Sequence, residues 1–212
     1  MKIGIIGSGN IGGTAARLFA KAGHDVAVSN SRGPESLSSL AASIGGKARA
    51  ATVEEAVAFG DVVLLALPWR DRQELPPAGL FAGKIVIDAT NPYTPDGKID
   101  DLGASSSSEE VARQLPGARL VKAFNTIYFK HLASRGRTDL PIPERHVIFL
   151  AGDDAEAKAA VSRLIEEIGF APMDTGSLAE GGRRQQPGSE IYNQPMTAAD
   201  AQKILSTGLP RG

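Results

Sequence analysis

The chain has 212 residues, 42 % hydrophobic and 22 % charged, an ordinary globular composition that argues against global disorder. Its 23 basic and 24 acidic residues leave a net charge of −1, which excludes the electrostatic footprint of a nucleic-acid or acidic-membrane binder. With no cysteine, disulfides, thiolate metal sites and a cysteine nucleophile are excluded as well.

Lys2–Ile6 is a short β-rich run ending in a glycine turn. Gly12–Gly23 reads as a helix, because Ala15, Leu18, Phe19 and Ala22 recur at helical spacing and Gly23 caps its end. Asp25–Ser29 is the next strand, Ser36–Ile44 a helix stopped by two glycines, and Ala48–Ala51 a short third strand. Thr52 is a good N-cap for the following helix, with Glu54 and Glu55 in its first turn. Asp61–Leu67 is unbroken apolar sequence, as expected of a strand buried on both faces of a parallel sheet, and Lys84–Ala89 is similar. The serine run Ser105–Ser108 starts a helix, since Ser106 and Glu109 have capping-box spacing. Arg119–Phe124 is a strand, Gly136–Arg145 an irregular loop holding two prolines, His146–Ala151 a strand, Asp154–Ile168 a long helix and Ala171–Asp174 a last strand.

Strands alternating with helices imply an α/β fold of the Rossmann type. We expect a doubly wound, mostly parallel sheet of about eight strands with helices on both faces. Residues 1–174 would form the nucleotide-binding domain. A tail, 175–212, would carry a short helix over Thr197–Leu205 and pack on the active site or on a partner subunit. No stretch reads as a secretion signal or a membrane span, so a cytoplasmic protein is expected.

Gly7-Ser8-Gly9-Asn10-Ile11-Gly12 matches G-x-G-x-x-G between a strand and a helix. Gly7 permits the tight turn, Gly9 lets backbone touch a pyrophosphate, and Gly12 lets helix pack on strand. The free N–H groups and positive dipole end of the helix complete an anion site. After the second strand, an NAD site usually carries a carboxylate for the ribose 2′-hydroxyl. Asn30-Ser31-Arg32 stands there instead, and Arg32 suits a 2′-phosphate, so the expected cofactor is NADP.

Ligands of such sheets bind beyond the carboxyl ends of the strands. Leu67-Pro68-Trp69 leaves the fourth strand, Asn91-Pro92-Tyr93 the fifth, and Asn125-Thr126 the sixth. Leu67, Pro68, Trp69 and Asn91 are therefore candidate cofactor contacts. Pro92, Tyr93, Asn125, Thr126 and, from the tail, Tyr192 are candidate contacts for a second substrate. Acid–base groups are scarce: Lys122 and His131 are the candidates, with a sheet-edge lysine as the plainer reading of Lys122, whereas His24 and His146 read as structural. Nothing supports a metal site.

The Gly7–Gly12 turn, Asn30-Ser31-Arg32-Gly33-Pro34, Leu67-Pro68-Trp69, Asp88-Ala89-Thr90-Asn91-Pro92 and Lys122-Ala123-Phe124-Asn125-Thr126 together resemble the NADP oxidoreductases that depend on the deazaflavin coenzyme F420. A similar module occurs in the ferric-reductase domains of certain metalloreductases. The resemblance spans roughly Met1 to Ser177, and the segment 181–193 resembles a bacterial branch of the family. It implies hydride transfer between nicotinamide C4 and deazaflavin C5 with stacked rings, which needs positioning and exclusion of water more than a proton donor. It also implies Ser31 and Arg32 on the 2′-phosphate, Leu67 and Pro68 beside the nicotinamide, and Asn91 and Thr126 near the second ring. The expected partners are a small redox acceptor, F420 or a flavin, and a second copy of the chain in a homodimer. The alternatives are reduction of a small imine or carbonyl, reduction of ferric iron, or a non-catalytic NADP-binding sensor.

Overall fold

The computed structural model describes residues 1–206, so the expected tail 175–212 is described up to Ser206 and residues 207–212 lie outside the described residues. The backbone begins β1 (Lys2–Ile6), α1 (Asn10–Lys21), β2 (Asp25–Ser29), α2 (Ser38–Ile44), β3 (Ala48–Ala50), α3 (Val53–Phe59), β4 (Val62–Leu65) and β5 (Ile85–Asp88). It continues with α4 (Ser107–Gln114), β6 (Arg119–Ala123), α5 (Phe129–Ser134), β7 (Val147–Gly152), α6 (Ala155–Glu167), β8 (Ala171–Asp174), α7 (Glu180–Arg184) and α8 (Ala198–Ser206). One sheet holds all eight strands in the order β3-β2-β1-β4-β5-β6-β7-β8. Neighbours are parallel except β6 and β7, so β7 and β8 run against the other six. This is a Rossmann-type doubly wound sheet, with its topological switch between β1 and β4.

Alternation along the strands sorts the side chains onto two faces. Ile3, Ile5, Leu64, Ile87 and Val121 join Phe19 of α1, Leu132 of α5 and Leu164 of α6 in one core. Val63, Leu65, Val86 and Leu120 join Val57 of α3, Val111 of α4 and Phe81 in the other. Complete burial of such a side chain contributes about 1.5–3 kcal/mol. All four residues of β4 are buried, as the apolar run implied, but the strand stops at Leu65 and the chain turns into the cleft. A smaller third core, from Val147, Phe149, Ile191 and Ala201, seats α8 on β7 and β8.

Local chemistry sets the helix ends. Thr52 and Ser106 each form a complete capping box, with Glu55 and Glu109 reaching back. His24 N–H bonds to Phe19 O and Gly23 N–H to Ala20 O, closing α1 in a Schellman motif on Gly23 at φ 97°. Thr197 Oγ1 accepts from Asp200 N–H at the start of α8. Helices α5 and α7 carry no periodic signal in the sequence. They have six and five residues, too few for periodicity to speak. Helix α1 starts at Asn10, two residues before the expected Gly12.

Candidate functional site

The carboxyl ends of β1, β2, β4, β5 and β6 open on one continuous cleft. Its first compartment, about 510 Å³, lies between the glycine turn, Arg32 and Leu67. Its second, about 470 Å³, runs past Leu67 and Pro68 to Asn91 and Tyr93. A third, about 240 Å³, continues from Asn91 to Asn125, Tyr128 and Tyr192. The first two are in the size range of small-molecule sites.

The three glycines of the turn have different duties. A Cβ on Gly7, which has φ 104°, would stand 2.1 Å from Ala66 O. One on Gly12 would stand 1.9 Å from Gly7 O. Both positions exclude side chains for packing reasons. Among the described residues, a Cβ on Gly9 would meet no atom within 4 Å. Gly9 is the N-cap of α1, no side chain caps that helix, and its first turn holds no acid. The first N–H groups, from Asn10 on, thus face the cleft without intrahelical partners. Bare backbone, a positive dipole end and a space that a Cβ would fill are what a dinucleotide pyrophosphate requires, and the residues fit one.

Asn30 organises the loop after β2 rather than standing free. Its Nδ2 donates to Ser8 Oγ (3.2 Å) and Ser36 Oγ (3.0 Å), and its Oδ1 accepts from Arg32 N–H (2.9 Å). That clamp fixes the loop carrying Ser31 and Arg32 against the glycine turn. Both residues are exposed and line the first compartment. Among the described residues the Arg32 guanidinium has no hydrogen-bond or ion-pair partner, and no carboxylate ends β2.

Further along, Leu67 and Pro68 separate the two large compartments and line both, while Ile11 and Asn91 line the second and third. Trp69, expected as a cofactor contact, lines the second compartment but shows little of its surface there. It is 3 % exposed, its Nε1 donates to Asp100 Oδ2 (2.9 Å), and the Arg72 guanidinium covers its ring at 3.6 Å. The indole braces the wall. Pro92 is buried behind that wall. Asn91 and Asn125 are paired: Asn91 Nδ2 donates to Asn125 O (3.0 Å) and Asn125 Nδ2 to Asn91 Oδ1 (3.2 Å).

Asn125 follows Phe124, a fully buried residue with φ 66°, which is left-handed backbone for a phenylalanine. This conformation costs about 1–2 kcal/mol. Burial and an edge contact with Phe19 (6.1 Å) hold it. Thr126 does not face the cleft: it is 4 % exposed, and its carbonyl accepts from Asn193 N–H (2.8 Å).

The segment after β8 contributes to the same place. Asn125 Nδ2 also donates to Gln185 O (2.7 Å), and Tyr192 Oη lies 3.4 Å from Tyr93 Oη. Tyr192 is half-buried, and desolvation followed by the neighbouring Tyr93 raises its phenol above the usual value of 10. Within a single chain, the segment covers one end of the cleft.

Neither acid–base candidate is placed to serve a ligand. Lys122 is not at a sheet edge, because β6 lies between β5 and β7. It is wholly buried, and Nζ donates to Asp88 Oδ2 (2.9 Å) and Thr90 O (2.5 Å). His131 stands outside the cleft, edge-on to Tyr128 (5.5 Å) and His146 (5.5 Å). Desolvation, then the Arg135 charge, lowers its pKa. His24 is structural, bonded to Glu167 Oε2 (2.9 Å) and the N-terminal amine (3.2 Å). Among the described residues no group of three or more His, Asp or Glu could hold a metal, and no helix is long and apolar enough to cross a membrane. Sequence reasoning missed the Asn30 clamp, the Gln185 anchor and the Trp69–Asp100 bond, which join residues with no spacing signal.

Residues 2–92 match the family described as NADP oxidoreductase, coenzyme F420-dependent. The chain is 33 % identical over 179 residues to the rat metalloreductase STEAP3, covering 84 % of this chain and 34 % of that protein, so it spans about a third of that relative's length. A hypothetical protein of Sinorhizobium meliloti, SMa0349, superposes with a TM-score of 0.81 at 36 % identity, covering 93 % of this chain and 95 % of the other. A candidate F420-dependent NADP reductase from Arthrobacter sp. FB24 superposes with a TM-score of 0.73 at 26 % identity, covering 86 % and 89 %.

Proposed function

We propose that this chain, whose residues 2–92 match the coenzyme F420-dependent family of NADP oxidoreductases, passes a hydride between NADPH and a planar acceptor, a deazaflavin or flavin. The observation that carries the reading is the unbroken cleft from Arg32, past the bare N-terminus of α1, to the tyrosines at its far end. Ser31 and Arg32 take the 2′-phosphate, and a bare carboxylate, which would repel it, is missing from the end of β2. The first turn of α1 takes the pyrophosphate.

The bound nicotinamide supplies the hydride, and the chain's share of the work is placement. Leu67, Pro68 and Asn91, which line the second compartment, would hold the nicotinamide ring. Tyr93, Tyr128 and Tyr192 offer flat faces to the acceptor and keep water from it. Lys122 and His131, the two acid–base candidates, line none of the three compartments, which suits a transfer governed by orientation.

The likeness to the rat metalloreductase favours a second reading, in which the electrons go to a ferric acceptor. Purified protein mixed with NADPH and, separately, F420, FMN and a ferric chelate decides between them through the loss of nicotinamide absorbance. Turnover with F420 or FMN supports the proposal. Turnover with the ferric chelate alone supports the second reading. Tight NADPH binding without turnover on any acceptor would mean a sensor rather than an enzyme.

A further inference from the structure

Asp88 and Lys122 face each other in register on β5 and β6, and both side chains are wholly buried. Such a pair is an expensive way to join two strands. Desolvation costs several kcal/mol per ion, and well-packed apolar residues hold strands at least as well. Cohesion of the sheet therefore does not account for it.

The rest of the pair's bonding does. Asp88 Oδ1 accepts from Thr90 N–H (2.9 Å) and from Thr90 Oγ1 (2.6 Å). Lys122 Nζ donates to Thr90 O (2.5 Å) as well as to Asp88 Oδ2 (2.9 Å). Every polar group of Thr90 is thereby bonded to one ion or the other. Ala89, Thr90 and Asn91 all line the second compartment. Asn91 is fixed in turn by its bonds to Asn125. Apolar residues at 88 and 122 could fill the same space but could not orient Thr90, because only the ions supply directional bonds to it.

We propose that Asp88 and Lys122 are positioning residues that set the Ala89–Asn91 wall where it meets the nicotinamide ring. This rests on the reading that the cleft takes NADPH with its nicotinamide beyond Leu67 and Pro68. Neither residue touches the cofactor. The adenosine and phosphate end, built on β1, β2 and α1, is independent of them.

Two ligands separate the ends. NADP⁺ spans both, whereas 2′-phospho-ADP-ribose carries the adenosine, the 2′-phosphate and the pyrophosphate without the nicotinamide. Calorimetric titration of the Asp88→Leu/Lys122→Met double variant should show NADP⁺ binding weakened by about tenfold and 2′-phospho-ADP-ribose unchanged within about twofold. Its thermal midpoint should equal or exceed that of the wild type. Bound NADPH should also lose the fluorescence change that reports an immobilised nicotinamide. Should the double variant fail to fold, Thr90→Val, which removes only the hydroxyl bonded to Asp88, carries the same comparison at smaller amplitude. Equal weakening of both ligands, or of neither, in a folded variant overturns the positioning role. Failure of the wild type to bind NADP⁺ overturns instead the cofactor reading beneath it.

Discussion

The phenol oxygens of Tyr93 and Tyr192 stand 3.4 Å apart, although 99 positions separate the residues in sequence. Tyr93 follows β5, and Tyr192 arrives with the segment that trails β8. Their approach makes one rim of the cleft from two distant parts of the chain. Tyr192→Ala should raise the KM for the acceptor by about tenfold, the equivalent of one lost aromatic contact, and leave the NADPH Kd unchanged. Steady-state kinetics alongside NADPH titration checks this. Because Tyr192 is held above its usual pKa, its contribution should not vary between pH 6 and 9, an ordinary working range for tyrosine.

Arg32→Ala tests the 2′-phosphate assignment. Loss of a charge-assisted contact costs about 1.5–3 kcal/mol, so NADPH binding should weaken by about 10- to 150-fold while NADH binding stays nearly constant. Equal loss for both cofactors would sink the assignment. Asn30→Ala should produce a weaker version of the same selectivity change, since Asn30 places Arg32 through its backbone N–H.

Gly9→Ala and Gly12→Ala should part company. The Cβ added at Gly9 meets no atom of the described residues within 4 Å, and φ there is an ordinary −72°. Thermal unfolding of Gly9→Ala should match the wild type while NADPH binding is lost. At Gly12 the added atom would lie 1.9 Å from Gly7 O, so that variant should lose stability first. A Gly9→Ala protein that retained full affinity would contradict the phosphate cradle.

His146 supplies a pH dependence of stability. Desolvation, followed by the charges of Arg135 and His131, lowers its pKa from 6.5 to about 4. The unfolded chain therefore binds a proton more readily than the folded one across that interval. The resulting stability is fully present above about pH 6.5 and is lost as pH falls through about 4. Chemical denaturation at pH 7 and pH 5 should show a drop in the wild type that is smaller in His146→Phe.

Periodicity, caps and the glycine turn made most of the fold legible, because each is a local property. The apolar run around Val62–Leu65 announced a strand between two parallel neighbours, and Thr52 and Ser106 announced helix starts. The glycine turn and Arg32 were legible for the same reason, and both line the first compartment. Lys122 was legible as unusual but not as buried, since strand parity becomes meaningful only once its neighbours on both sides are known. The burial of Trp69 was not legible, because nothing in the sequence connects it with Arg72 and Asp100. Gln185 and Asn193 could not be seen as anchors at all, because their partners, Asn125 and Thr126, lie far back along the chain.

The reversal of β7 and β8 has a consequence for chain length. The chain leaves β8 at the end of the sheet opposite the cleft and climbs back past the first turn of α4 before it reaches Asn125 and Tyr93. That climb is pinned below, where a Cβ on Gly182 would lie 2.8 Å from Ser108 Oγ, and above by the bond from Asn193 to Thr126. The residues between those two pins act as a ruler. Point substitutions change what the ruler carries, whereas a single insertion or deletion would shift every mark on it and take Tyr192 away from the mouth it covers.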